Sequence, residues 1–238
     1  MISYFQPLAF QFNTDRQSGN RMQNITSKWP PPEASTILNQ IRWVVVDVET
    51  TGLNIRKDRV IAIGAVEIDQ MKINLKQSFE RVFDPGVDLE HENVLIHGLS
   101  PQELQQGTTP EQGLKDFLDF AAGSPLLAFH APFDKHMLEK ESKQWLGVSA
   151  RLPCYDVADF CLALFPDLSK QLRGLDAWLE HFGLEASERH HATCDAMATA
   201  ELALICLQKA YSEGIDTWGQ LIDRISTATK LHRSRHTF

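Results

Sequence analysis

No apolar run in the sequence approaches the roughly 20 residues that a membrane-spanning helix needs, so no membrane partner is expected. The opening stretch, MISYFQPLAFQFNTDRQ, lacks a basic start, a sustained apolar segment and a small-residue cleavage site. No secretory signal is read from it. Cysteine is scarce. Cys154, Cys161, Cys194 and Cys206 are scattered with no CxxC pair, which fits reduced thiols in a cytoplasmic protein. Positive charge is also in deficit, with 23 Lys and Arg against 31 Asp and Glu and a formal net charge of -8. That argues against a protein held to nucleic acid by a broad basic surface. It leaves open an enzyme whose acids hold divalent cations. There is no internal repeat, and the only low-complexity block is WPPP at 29–32.

What is present suits a globular chain of 238 residues, 43% hydrophobic and 23% charged. Residues 1–40 read as an arm or linker, polar and irregular, with EASTILNQI as one short helix leading in. The core is expected over 41–214, followed by a C-terminal helix and basic tail over 215–238. Trp43 to Val48 is dense in β-branched residues, the mark of a buried strand. RVIAIGAVEID (59–69) and INLKQSFERVFDP (73–85) read as a second and third strand, with MK at 71–72 as their hairpin turn. In SPQEL, Ser100 stands as N-cap, Pro101 at the first helical position and Glu103 in capping-box position. TPEQGLKDFLDFAAG repeats apolar residues at a helical period and stops at Gly123. PLLAFHA reads as another strand. FDKHMLEKESKQWLG, DVADFCLALFP, LRGLDAWLEHFGL, a long segment from Ala192 to about Glu213, and TWGQLIDRISTATKL read as helices. A strand meander followed by helices alternating with further strand is an α/β pattern.

The first chemical signal is VVVDVETTGL. Asp47 and Glu49 are two apart on a strand, so they share a face. Two like charges this close repel, and burying them unpaired is costly. A divalent cation such as Mg²⁺ or Mn²⁺ removes both problems. The bland alternative is an exposed strand end with two solvated acids. TTGL then turns, with Gly52 admitting close approach and Leu53 an apolar contact for a base or sugar. Asp134 in AFHAPFDKHML and Asp195 in ERHHATCDAMATAEL each open a helix, where an acid also suits the helix dipole. One explanation covers all four acids: they converge as the ligand shell of two metal ions, which activate a water and stabilise a leaving oxygen in phosphoryl transfer.

VVVDVETTGL, LIHGLSPQEL, AFHAPFDKHML and HHATCDAMATAEL occur in the order and approximate spacing of the DEDD, or DnaQ-like, 3′–5′ exonucleases. The chain resembles the histidine-containing DEDDh branch, and within it the proofreading epsilon subunits of bacterial replicative DNA polymerase. The likeness covers about residues 40 to 210. It implies a ribonuclease-H-like α/β fold, a five-stranded mixed sheet flanked by helices. It implies two-metal hydrolysis of the terminal phosphodiester, releasing nucleoside 5′-monophosphates from a single-stranded 3′ end. Carried onto this sequence, the metal acids are Asp47, Glu49, Asp134 and Asp195. Thr50, Thr51, Gly52, Leu53 and His97 would contact the 3′-terminal nucleotide, and Phe133 the penultimate one. Where the family often has His-Asn before its Phe-Asp pair, this chain has Phe129-His130, so the Asn contact to the strand is either taken over by His130 or lost.

The catalytic base falls in a histidine doublet. In the DEDDh branch the base lies five residues before the last acid, which selects His190 relative to Asp195; His191 occupies the register of the tyrosine in the sister branch. His190 is the expected proton acceptor. DNA is favoured over RNA, with an RNA-trimming exonuclease as the alternative within enzymes. A non-catalytic replication or repair module is the alternative outside them. A polymerase or repair protein is a candidate partner, yet the C-terminal segment has no obvious glycine- or proline-rich tether.

Overall fold

The computed structural model describes residues 29–84, 99–185 and 191–235. His97, His190, the first 28 residues and the last three lie outside that range. The elements run β1 (Trp43–Thr50), β2 (Val60–Asp69), β3 (Lys72–Val82), α1 (Pro101–Gln105), α2 (Pro110–Ala121), β4 (Leu126–Ala128), α3 (Pro132–Leu146), β5 (Cys154–Asp156), α4 (Val157–Leu164), α5 (Gly174–Phe182), α6 (Ala192–Ser212) and α7 (Trp218–Arg235). The strands form one five-stranded sheet in the order β3-β2-β1-β4-β5. β1 pairs antiparallel with β2, and β2 with β3. β1 pairs parallel with β4, and β4 with β5. This is the mixed sheet flanked by helices that was expected.

Strand alternation sorts β1 onto two cores. Trp43 and Val45 pack with Phe160, Cys161, Ala203 and Leu207, on the side of α4, α6 and α7. Val44, Val46 and Val48 pack with Leu114, Phe117, Met137 and Leu138, on the side of α2 and α3. Helix signals in the sequence hold up. Ser100 accepts from the Glu103 N–H while Glu103 returns the bond to the Ser100 N–H, a complete capping box. Thr109 caps α2. Gly147 and Gly183 end α3 and α5 in the left-handed conformation.

Four local expectations need correction. The hairpin turn is Gln70-Met71, one residue earlier than MK, and both residues have positive φ, 49° and 60°. That is the signature of a two-residue primed turn, whose twist matches the strands. The lead-in helix is reduced to a 3₁₀ turn at Leu38–Gln40. There the Leu38 N–H goes to Asp216 O, and Ile37 bridges to Thr217. The fifth strand is Cys154–Asp156, where the sequence marks no element at Cys154 and Tyr155 and a helix start at Asp156. Finally, α7 continues to Arg235, so most of the basic tail is helical. The start of α7 is clamped: Trp218 is buried, with its ring centroid 5.5 Å from that of Trp43 and 4.6 Å from that of Tyr155.

Candidate active site

Asp47 and Glu49 follow the apolar run of β1 with the same parity as Trp43 and Val45, so they face α6. Asp195 lies in the first turn of α6 and is buried. Each of these three carboxylates offers an oxygen within 4.8 Å of the others. The meeting depends on how closely α6 approaches the sheet. Gly64 of β2 lies directly opposite Asp47 in the ladder. A Cβ built on Gly64 would lie 2.2 Å from Ala192 C and from Thr193 N. Only glycine leaves room for the α6 backbone there. Further along, Ala196, Ala200 and Ala203 keep the helix low on the strands.

Asp134 arrives from the opposite layer. It sits in the first turn of α3, whose Met137 and Leu138 pack on the Val46 and Val48 side of β1. Its Oδ1 accepts from the Val48 N–H at 3.1 Å, between the two β1 acids. Asp134 is thus joined to the site by the backbone of β1 and is outside the three-carboxylate cluster. Burial pushes its carboxyl up to about 8; the Val48 N–H pulls the other way, and the charges of Asp156 and Glu49 add to the rise. The donor set is all carboxylate oxygen, which suits a hard divalent cation and would be partly neutralised by one.

The loop after β1 is braced from within. The Thr50 hydroxyl donates to Gly52 O at 2.8 Å. The Thr51 hydroxyl donates to Asp58 Oδ1 and accepts from the Arg59 N–H, both at 3.0 Å. Asp58 Oδ2 also accepts from the Asn54 N–H. A Cβ at Gly52 would lie 2.7 Å from Asp58 Oδ2, so this glycine accommodates the brace as well as any ligand. Leu53 is held out at the tip of this loop, 86% exposed. Arg59 reaches the buried Glu141 of α3 at 3.1 Å, stacks over Trp145, and Glu141 accepts from Trp145 Nε1 at 2.8 Å. That network ties the loop to the helix carrying Asp134.

His130 has φ 64° and is exposed, with its backbone N–H donated to Asp156 Oδ1 at 2.9 Å. Asp156 also caps α4 through the Ala158 N–H. Burial raises its carboxyl, opposed by these N–H groups. Phe133 is half-buried against the α2–α3 core, beside Asp134. His191 Nε2 lies 3.1 Å from Glu80 Oε1 of β3, and Glu80 is the ladder partner of Gly64. His191 is therefore engaged on the sheet beside the acids. His97 and His190 lie outside the described residues. Asp58, Arg59, Glu141 and Asp156 were missed from sequence. Only Asp156 carried a local signal, an Asp just before a helical run.

The exonuclease family profile matches residues 44–203. PolC-type DNA polymerase III of Caldanaerobacter subterraneus subsp. tengcongensis is 31% identical over 179 residues, 75% of this chain and 12% of that polymerase. The Bacillus subtilis PolC-type polymerase is 29% identical over 203 residues, 85% of this chain and 14% of that one. The chain therefore spans about an eighth of the length of the polymerases it matches. Among solved structures, exonuclease I superposes with a TM-score of 0.61 at 19% identity, covering 79% of this chain and 44% of that one. Escherichia coli exonuclease I in complex with a dT13 oligonucleotide gives 0.60 at 19%, covering 73% and 42%. These likenesses carry the ribonuclease-H-like fold. With the profile spanning both β1 acids, Asp134 and Asp195, the chain belongs to the DnaQ-like exonuclease family.

Proposed function

We propose that the chain hydrolyses the terminal phosphodiester at the 3′ end of single-stranded DNA, releasing nucleoside 5′-monophosphates with two Mg²⁺ or Mn²⁺ ions bound. The observation that carries this is the convergence of Asp47, Glu49 and Asp195 within 4.8 Å of one another. Those three acids, with Asp134, would hold the cations. A bound divalent pair supplies acidification of a water and neutralisation of the charge on the departing oxygen. The protein's own groups do the rest. His190 takes the proton of the attacking water. Leu53 and the braced Thr50–Gly52 turn hold the last nucleotide, with His97; Phe133 and His130 meet the one before it. The relation to PolC-type polymerases supports DNA as the polymer and proofreading or repair as the setting, in the cytoplasm beside a polymerase or repair partner.

The test is digestion of 5′-labelled single-stranded DNA, mismatched duplex and RNA in Mg²⁺, Mn²⁺ and EDTA. Stepwise shortening of DNA with either ion and none in EDTA is expected. Asp47→Ala and Asp195→Ala should each abolish it while the protein still unfolds cooperatively. A variant that still trims a 3′ end in Mg²⁺ overturns the site. Faster trimming of RNA selects the exoribonuclease reading. No cleavage of any strand selects the binding module.

A further inference from the structure

The basic C-terminal stretch singled out in the sequence has a place in the fold that the proposed chemistry does not use. From Arg224 to the end of the chain there is no acid, against Arg224, Lys230, Arg233, Arg235 and two histidines, in a protein of net charge -8. This stretch lies beyond the residues matched by the exonuclease profile. Its helical part forms one wall of a groove of about 700 Å³. The opposite wall is α4 and the 3₁₀ turn Leu168–Lys170. Leu162, Pro166 and Leu231 give the groove an apolar lining, and Leu231 is 54% exposed. Lys170, Arg173, Arg224 and His232 line it as well.

The groove points to the active site. A recess of about 250 Å³ shares Leu162, Ser169, Arg173 and His232 with it and runs on to Phe129 and His130. His130 is bonded to Asp156, whose charge is felt by Asp134. Some of the cationic charge is answered locally. Arg224 pairs with Glu213, Lys170 with Asp167, and Asp159 faces Arg233 and His232. The groove lining holds Arg173, at the junction with the recess, and no acid, while Asp156 and Asp159 line the recess beyond it; the cationic character therefore belongs to the groove.

We propose that the groove between α4 and α7 holds the single strand upstream of its 3′ end, with phosphates on the cationic residues and bases against Leu162, Pro166 and Leu231. A cationic groove that tracks the backbone is what sequence-independent strand binding needs, and the apolar side chains here offer the bases a surface to leave water against. The proposal rests on the exonuclease reading for what occupies the groove. It makes α7 a strand-holding addition to the family's catalytic unit.

Binding is measured in EDTA, where no cleavage occurs, by anisotropy of 5′-fluorescein oligothymidylate on the full chain. Arg173→Glu and Leu231→Asp should each weaken binding of a strand of about twelve nucleotides by on the order of tenfold, and Arg173→Glu should lower the slope of log affinity against log salt by about 0.7. A trinucleotide should show much less of this loss, and Lys72→Glu beside the β2–β3 turn should show none. Wild-type affinity and salt slope in both variants overturn the proposal and leave the groove to a protein partner. The two readings fail separately. Wild-type protein that binds strands through the groove yet degrades none strikes the nuclease chemistry alone. An active nuclease whose long-strand affinity ignores both variants strikes the groove alone.

Discussion

Replacing Gly64 by alanine tests whether the acid cluster depends on how low α6 rides on the sheet. The added methyl would stand 2.2 Å from Ala192 C and Thr193 N and 2.5 Å from Ala192 O, where ordinary contact is 3.4–4 Å. All three atoms are backbone, so no side chain can swing aside. Either the first turn of α6 lifts by more than about 1 Å or β2 bends away. Asp195 is two residues beyond Thr193 and Asp47 is directly across the ladder from Gly64, so either motion widens the gap between them. Overpacking of this kind costs about 1–3 kcal/mol, which lowers the melting temperature by roughly 2–12 °C in a chain of this size. Displacement of a catalytic group by about 1 Å costs on the order of 100-fold in rate. The assay is kcat on a labelled oligonucleotide in saturating Mg²⁺, alongside thermal unfolding. Gly113→Ala is the comparison, because its methyl would strike the buried ring of Phe83, 2.2 Å away, in the core on the far side of the sheet. It should destabilise the fold without a comparable loss of rate. Equal losses of rate in the two variants, or a Gly64→Ala enzyme with the wild-type rate, would refute the reasoning.

Three further outcomes are expected. His190→Ala should slow strand cleavage far more than His191→Ala, since the His191 ring is engaged by Glu80; the reverse ranking of kcat would move the base by one residue. In EDTA, Asp134 should make the protein less stable as pH rises. Its folded carboxyl holds a proton up to about pH 8 while the unfolded one releases it near 4, so stability falls across that window by an order of a few kcal/mol and levels off above it. Mn²⁺ should restore the high-pH melting temperature, and Asp134→Asn should flatten the EDTA profile; parallel wild-type and variant profiles would contradict this. Trp218→Ala, which empties the contact with Trp43 and Tyr155, should cost about 3–5 kcal/mol in denaturant unfolding. A loss under about 1 kcal/mol would show that α7 is not part of the core.

The features legible in the sequence were those written locally. β-Branched density marked β1, and a period of two put Asp47 and Glu49 on one face. Ser100, Thr109 and Gly147 announced their helix ends by residue type and position. What stayed hidden was set by distance along the chain or by brevity. β5 is only three residues long, too short for any periodicity to register. The Arg59–Glu141–Trp145 brace joins residues 82 apart, with no local trace. The docking of Asp134 on the Val48 N–H reflects two helical layers meeting at a strand end. Gly64 carries no local signal within its apolar strand; its role comes from the α6 backbone pressed against it. The two-residue turn at Gln70-Met71 lacked the Asn-Gly signature that normally reveals it, which is why the register was read one residue late.

The pairing of residues 34–37 with the start of α7 also bears on hydrogen exchange. The amides of Leu38, Trp218 and Gly219 donate to Asp216, Thr36 and Ala34, and their neighbourhood closes over Trp43 at the head of β1. Two segments outside the profile-matched span thus form a seam over the sheet. Those amides should lose deuterium protection together with the amides of β1, in a single global opening, rather than fraying first as flanks do. A fragment cut to residues 44–203 would leave out Trp43 and both halves of the seam, and it should exchange as a loosened sheet even with Asp47, Glu49, Asp134 and Asp195 all in place.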